Sequence, residues 1–147
     1  PVIVLRTFSK AYGLASLRIG YAIAHPDLIQ GLEKVRCPFN VNSLAFAAAL
    51  AALEDQDYLE QVVQKTKVER AKLSHALEQL GVKVLPSQTN FIMAYFPIPA
   101  SELSAKLLQR GIIVRGAGEP HALRITVGTS EENERLLSEI KTILSKK

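Results

Sequence analysis

One cysteine, Cys37, one methionine, Met93, and no tryptophan occur in the 147 residues of this chain. A single thiol cannot close an internal disulfide, nor build a zinc cluster without other ligands, which suits a reducing cytosol. No spacing of ligands marks a metal site. No apolar run approaches the roughly 20 residues of a membrane-spanning helix, and no signal-peptide pattern opens the chain, so a soluble, cytoplasmic protein is expected. A block of one charge sign is also missing. The 18 basic and 14 acidic residues are spread out, with only Lys146 and Lys147 clustered at the end. Aromatics do not alternate with basic residues as a nucleic-acid groove requires, so small anionic ligands are the better match. Internal repeats and low-complexity segments are absent.

Nearly half the residues, 48%, are apolar, enough for one real core in one or two small domains. Pro1 to Leu5 read as the middle of a strand with no initiator methionine before it, so a fragment or a processed half is expected. Val2-Ile-Val-Leu5 and Ile19-Gly-Tyr-Ala-Ile-Ala24 are short β-branched runs of the kind that fill buried parallel strands. Between them stand Thr7, Ser9, Lys10, Gly13 and Arg18. Lys10 therefore follows a strand end, the edge where open α/β sheets bind ligands.

Further along, His25-Pro-Asp27 opens a helix expected to reach Arg36, with Pro26 in its first turn and Asp27 at its positive end. Asn42 or Ser43 caps an alanine-rich helix from Leu44 to Leu53. Apolar residues at spacings of three and four predict a long amphipathic helix from about Asp57 to Leu80, which Gly81 stops. A domain boundary is expected within it, giving domains 1–65 and 66–147. The second half reads as short strands and helices: Val82–Leu85, Asn90–Tyr95, a helix from Ala100 to Arg110, a strand Ile112–Arg115, a glycine loop to His121 and a strand Leu123–Val127. Thr129 or Ser130 caps a last helix running to about Leu144, with Glu131 and Glu132 in its first turn.

The chemistry gathers around Lys10. Thr7, Ser9 and Arg18 supply donors for a phosphate, and the planar, always charged arginine fork can bind two oxygens at once. A lysine amine that loses its proton near another cation becomes a nucleophile. A phosphorylated aldehyde held covalently would need both parts. Alone, Lys10 would read as an exposed lysine, Arg18 as an ion-pair residue, and Arg115 and Arg124 as solvated strand arginines. Arg124 lies between Leu123 and Ile125 and so points away from the face they bury. Tyr12 and Tyr21 read as packing residues, and His25, His75 and His121 as turn or surface residues, with His121 in the loop near both arginines.

Thr7-Phe-Ser-Lys-Ala-Tyr-Gly-Leu-Ala-Ser16, with Arg18 beyond it, resembles the lysine-attachment signature of class-II pyridoxal-phosphate aminotransferases. The longer string Leu5 to Tyr21, with Gly111–Arg115 and Leu123–Asn133, is similar to the histidinol-phosphate branch of that family. The similarity runs from Val2 to about Ile143 and covers only the second half of such an enzyme. It implies an α/β chain: the end of the large-domain sheet of a fold-type-I transferase, then a small α+β carboxyl-terminal lobe. It also implies pyridoxal 5'-phosphate on Lys10, with Thr7, Ser9 and Arg18 binding the cofactor. Lys10 would be both covalent anchor and proton carrier. Arg124 would grip a substrate carboxylate and Arg115 a substrate phosphate. Histidinol phosphate and 2-oxoglutarate would be the substrates, in histidine biosynthesis, and a homodimer the assembly, with the helix Leu44–Leu53 as a candidate subunit contact.

The groups that hold the cofactor ring lie upstream in that family, and Asp27, Asp55 and Asp57 stand in the wrong surroundings to replace them, so this piece alone is expected to be inactive. A threonine-phosphate decarboxylase or an aromatic aminotransferase would share Lys10 and Arg18. A non-catalytic anion-binding or dimerisation module would keep the arginines without using a cofactor.

Overall fold

The computed structural model describes residues 1–145; Lys146 and Lys147 lie outside them. The chain divides into two compact units, Pro1–Val63 and a second that begins at Gln64. In order, the elements are β1 (Ile3–Thr7), a 3-10 turn (Ala15–Leu17), β2 (Gly20–Ala24), α1 (Pro26–Val35), α2 (Ser43–Glu54) and α3 (Gln56–Gln79), followed by β3 (Lys83–Val84), β4 (Phe91–Tyr95), α4 (Ala100–Leu108), β5 (Arg115–Gly116), β6 (Ala122–Thr126) and α5 (Ser130–Ser145). Among the described residues no helix is long and apolar enough to cross a membrane. No group of three histidine, cysteine or acidic residues among the described residues could hold a metal ion.

In the first unit the strands differ from their expected setting. Instead of standing as buried parallel strands, β1 and β2 pair antiparallel with each other, from Ile3 opposite Ala24 to Thr7 opposite Gly20. Val2, Leu5 and Ile23 stand more than half exposed. Apolar composition alone does not choose a strand's partner, and the loop from Phe8 to Ile19 brings the two runs back on each other. Gly20 is required by that pairing: a Cβ there would lie 2.6 Å from the Arg6 carbonyl oxygen, inside contact distance of the backbone.

The helix starts follow the capping logic. His25 precedes α1 and its Nδ1 accepts from the Asp27 N–H, while Asn42 Oδ1 accepts from the Ala45 N–H at 2.8 Å to open α2. The unit's core is small: Phe8, Ile19, Ala45 and Ala49, with Tyr12, Leu14 and Leu17 packed against them.

The second unit carries the large core. Its sheet runs β3-β4-β6-β5, every neighbouring pair antiparallel. Ile92, Ala94, Leu123 and Ile125 turn inward to meet Leu73 and Leu77 of α3, Leu103 and Leu107 of α4, and Leu136, Ile140 and Ile143 of α5. The eight largest fully buried side chains of the described residues all belong to this unit. At roughly 1.5–3 kcal/mol for each such side chain, the second unit holds most of the hydrophobic stabilisation.

Gly81 and Gly111 end α3 and α4 in the same way. Each adopts a left-handed φ, +78° and +73°, and the following N–H reaches back to a helix carbonyl, Val82 to Leu77 and Ile112 to Leu107. This shortens the expected strand Ile112–Arg115. The Ile112 N–H is spent on ending α4, Ile113 is 85% exposed, and the ladder begins only at Arg115.

A polar clamp ties α3 to the start of α5. The buried Asn133 amide accepts from the Gly128 N–H and donates to the Gly128 carbonyl and to Glu69. Glu69 also accepts from Ser130 and pairs with Lys72 at 2.9 Å. The donors Lys72, Ser130 and Asn133 together lower the Glu69 pKa from 4.5 to about 2. Thr129 and Glu132 close a capping box, each side chain accepting from the other's N–H.

Two outcomes follow. The lowered folded-state pKa means that the stabilisation from Glu69 is complete above the unfolded value near 4.5 and is lost as pH falls toward 2. Glu69→Gln should therefore melt at a lower temperature than the parent at pH 7, with the gap closing across that acid window; an equal gap at pH 2.5 and pH 7 in thermal melts would disprove the clamp. Gly20→Ala forces β2 off the Arg6 carbonyl and should cost roughly 1–3 kcal/mol in urea titrations that monitor the first unit; a neutral result would contradict the close strand approach.

Candidate active site

Lys10 stands just beyond β1 because the chain is anchored on both sides of it. Phe8 is 3% exposed and packs its ring 4.9 Å from that of Tyr12 and 5.8 Å from that of Tyr21. The Phe8 N–H donates to the Ile19 carbonyl and its own carbonyl accepts from Leu14, so the lysine loop is stitched to β2 at its base. The Gly13 N–H closes a turn on the Lys10 carbonyl at 2.9 Å, with Gly13 at φ +73°. The Lys10 side chain is exposed, and among the described residues its amine has no hydrogen-bond or ion-pair partner.

Thr7, Ser9 and Arg18 come together beside it. Arg18 Nη1 donates to the Ala15 carbonyl at 2.7 Å and to Ser9 Oγ at 3.3 Å. Thr7 Oγ1 accepts from the Ser9 N–H at 3.1 Å. Both hydroxyls therefore accept from the protein and keep their own protons to donate outward. The Nε and Nη2 groups of Arg18 have no protein partner among the described residues, so half of its fork is fixed and half is open. Arg18 holds this position in a left-handed backbone conformation, φ 54° and ψ 50°, uncommon for a residue with a side chain. These donors fit the phosphate end of a phosphorylated aldehyde, and the free amine of Lys10 fits its carbonyl end. Among the described residues no carboxylate joins the cluster. Asp55 uses Oδ1 to accept from the Tyr58 N–H at the start of α3, and Asp27 lies 3.4 Å from His25.

In the second unit, Arg124 is half-buried on β6 and stands directly opposite Arg115 of β5. Leu123 and Ile125 on either side are buried against the core, so Arg124 points to the other face of the sheet. Like charges directly opposite on neighbouring strands repel, with Cβ atoms about 4.5–5.5 Å apart. Neither arginine has a hydrogen bond or an ion pair among the described residues; Arg124 instead lies with its Cζ 4.1 Å from the centre of the Phe91 ring. Phe91 carries no polar atom to draw attention in the sequence, and only the pairing of β4 with β6 brings it into reach. His121, in the adjacent loop, has Nδ1 3.1 Å from the carbonyl oxygens of Phe96 and Ile98, which ties it to the backbone. Tyr95 donates to Glu119 at 3.1 Å, a bond that pushes the phenol's pKa up.

Similar proteins give this geometry a context. The histidinol-phosphate aminotransferase of Bacillus velezensis is 49% identical over 146 residues, 97% of this chain and 41% of that protein. The crystal structure of histidinol-phosphate aminotransferase from Sinorhizobium meliloti in complex with pyridoxal-5'-phosphate matches with a TM-score of 0.88 and 35% identity, over 98% of this chain and 41% of that one. An L-threonine-O-3-phosphate decarboxylase structure from Porphyromonas gingivalis also matches, with a TM-score of 0.88 and 30% identity over 98% of this chain and 47% of that one. The chain thus spans about two fifths of the length of the curated relatives it matches, and its mixed α/β architecture corresponds to part of the fold-type-I transferase structures. The family model for aminotransferases of class I and II matches residues 1–140, and with the lysine, the arginine and their loop in place the chain belongs to that family.

Proposed function

We propose that this chain serves a histidinol-phosphate aminotransferase, in which pyridoxal 5'-phosphate is held on Lys10 and an amino group moves between histidinol phosphate and 2-oxoglutarate. The observation that carries the reading is the half-open Arg18 fork beside two hydroxyls with protons to donate and an unpartnered lysine amine. The family membership and the 49% identity to the Bacillus velezensis enzyme support it. When bound, the cofactor would supply an electron sink for the charge that develops at the substrate's α-carbon. Arg18, Ser9 and Thr7 would bind its phosphate and so fix its position relative to the lysine. Lys10 would hold its aldehyde carbon covalently and, once displaced by the substrate amine, carry the α-proton on Nζ.

Substrate choice falls to the second unit in this reading. Histidinol phosphate bears a phosphate where an amino acid bears its α-carboxylate, and the partner substrate, 2-oxoglutarate, bears a carboxylate. Arg124 is proposed to bind the carboxylate bidentately and Arg115 the phosphate. Their cross-strand placement, without a protein counter-charge among the described residues, supports a shared anion subsite that a doubly charged phosphate could bridge. The unit up to Val63 is proposed as the carboxyl-side part of the cofactor-binding domain, and the unit from Gln64 as the small lobe. A cytoplasmic homodimer belongs to the same reading. It is supported by α2, whose Leu44, Phe46, Leu50 and Leu53 all stand at least 42% exposed. Among its described residues the chain offers no carboxylate beside the lysine cluster, and alone it is expected to fall short of turnover.

A second reading, a phosphorylated-amino-acid decarboxylase, is supported by the match to the Porphyromonas gingivalis structure. Its substrate would carry both a phosphate and a carboxylate. Carbon dioxide release from threonine phosphate, with no transfer from histidinol phosphate, would favour it.

In the full-length enzyme, borohydride reduction followed by peptide mass mapping should find the cofactor on Lys10. Lys10→Ala should remove that adduct and lower transamination about 10²- to 10⁴-fold. An adduct on another lysine, or none, would overturn the assignment. Arg124→Ala should raise the KM for 2-oxoglutarate about ten- to a hundredfold, as expected for loss of hydrogen bonds to a charged group; an unchanged KM would remove Arg124 from the site.

A further inference from the structure

Arg124 has an orienting contact but no hydrogen-bonding one. Among the described residues its guanidinium makes no hydrogen bond and no ion pair, yet its Cζ lies 4.1 Å over the Phe91 ring. At that separation the flat guanidinium can rest face to face on the ring, and this leaves its five N–H donors, all in the guanidinium plane, free for a ligand. A carboxylate partner would orient the arginine equally well but would occupy those donors and compete with any incoming anion.

The ring in turn is held in place. The Phe91 carbonyl accepts from the hydroxyls of both Ser87 and Thr89, and its N–H donates to Thr89 Oγ1. One residue earlier, the Asn90 carbonyl accepts from Val127 at 3.0 Å, joining this end of β4 to the end of β6. In the ladder Phe91 pairs with Thr126 and Met93 with Arg124. Arg124 therefore reaches Phe91 along the diagonal between strands, a span long and aromatic side chains can cover. The backbone of Phe91 is secured by three bonds, while its ring is half-buried against a cation with no hydrogen bond or ion pair among the described residues.

We infer that Phe91 is a positioning residue for the substrate anion: its ring face orients the Arg124 guanidinium and restricts the side chain's freedom while leaving every donor available. This rests on the proposed role of Arg124 as the anion-binding residue. The effect belongs to ground-state recognition of the anionic end and not to the proton transfer proposed for Lys10, so it should appear in affinity and KM with little change in kcat. A ring that merely filled space would be replaceable by leucine.

The test uses the full-length, cofactor-loaded enzyme with Phe91→Leu, Phe91→Tyr and Arg124→Lys, alone and combined. It reads the dissociation constant for 2-oxoglutarate by titration calorimetry, KM and kcat for 2-oxoglutarate, and the melting temperature. Phe91→Leu should weaken 2-oxoglutarate binding and raise its KM about three- to tenfold, in the range of a partly desolvated cation–ring contact, with kcat within about twofold. Phe91→Tyr, which keeps the ring face, should stay within about twofold of the parent. In the Arg124→Lys background, Phe91→Leu should add little, because a lysine ammonium has no planar fork to orient. Equal losses for the leucine and tyrosine variants, or an undiminished loss in the lysine background, would overturn the inference, as would a loss in melting temperature with no change in affinity. If Arg124→Lys alone leaves both constants unchanged, the anion role of Arg124 fails and the inference with it. If Arg124→Lys weakens binding and Phe91→Leu does not, the positioning role alone fails.

Discussion

Phe8 is buried two residues before Lys10, and much of the first unit follows from that burial. A strand alternates its side chains, and the faces of β1 and β2 are open in this unit, so nothing along Ile3–Thr7 itself fixes where the strand must end. Phe8 breaks that indifference. Its ring goes under the loop to meet Ile19, Ala45 and Ala49, while its N–H and carbonyl bind Ile19 and Leu14. With Phe8 held inward, Lys10 is left at the surface and Ser9 half-buried at its side. The small size of Ala45 and Ala49 matters here, because larger side chains on α2 would compete with the ring for the same space.

The second unit solves a different problem. Its sheet has an apolar face covered by three helices and an outer face bearing two arginines opposite each other, which repel. Such an arrangement persists only if the surrounding framework holds it. The framework is the core of Leu73, Leu77, Leu103, Leu107 and Ile140, together with the Asn133 clamp that fixes Gly128 two residues past the end of β6. Arg124 is thus carried by a strand whose neighbours on either side are buried and whose end is tied to a helix. The stability sits in the apolar face and the two arginines on the other, a division that a period-two strand makes possible.

Local chemistry was legible in the residues, and pairing was not. A cap at Asn42 or Ser43 and another at Thr129 or Ser130, the stop at Gly81 and the inward turn of Leu123 and Ile125 each depend on residues a few positions apart, and each is open to direct reading. The antiparallel partnership of β1 with β2 depends on which strands come together in space, and a run such as Val2–Leu5 carries no information about that. Ile112–Val114 looked like a strand because it is β-branched; the competing demand was the end of α4, which takes the Ile112 N–H first. At the site, Lys10, Arg18, Thr7 and Ser9 share one short loop and were visible together. Phe91 was not, because its relation to Arg124 exists only through the register of β4 on β6. The Glu69 clamp was hidden for the same reason, since it joins residues more than sixty positions apart.

The two anion-binding arrangements proposed for the chain use arginine in opposite ways, and the difference fits the tasks proposed for them. Arg18 spends part of its fork on Ala15 and Ser9, so its position is set by hydrogen bonds to its own loop. A group that stays bound through many turnovers can be met by such a fixed, partly satisfied partner, because little has to change when it is in place. Arg124 is set by an aromatic face and keeps all of its donors. A group that must accept one anion, release its product and then accept another of different shape gains from donors that are oriented but uncommitted, since no internal bond has to break at each exchange. The cost is a guanidinium left, among the described residues, without a counter-charge beside Arg115. That cost favours an anion in the site over an empty one, and it acts on phosphate and carboxylate alike.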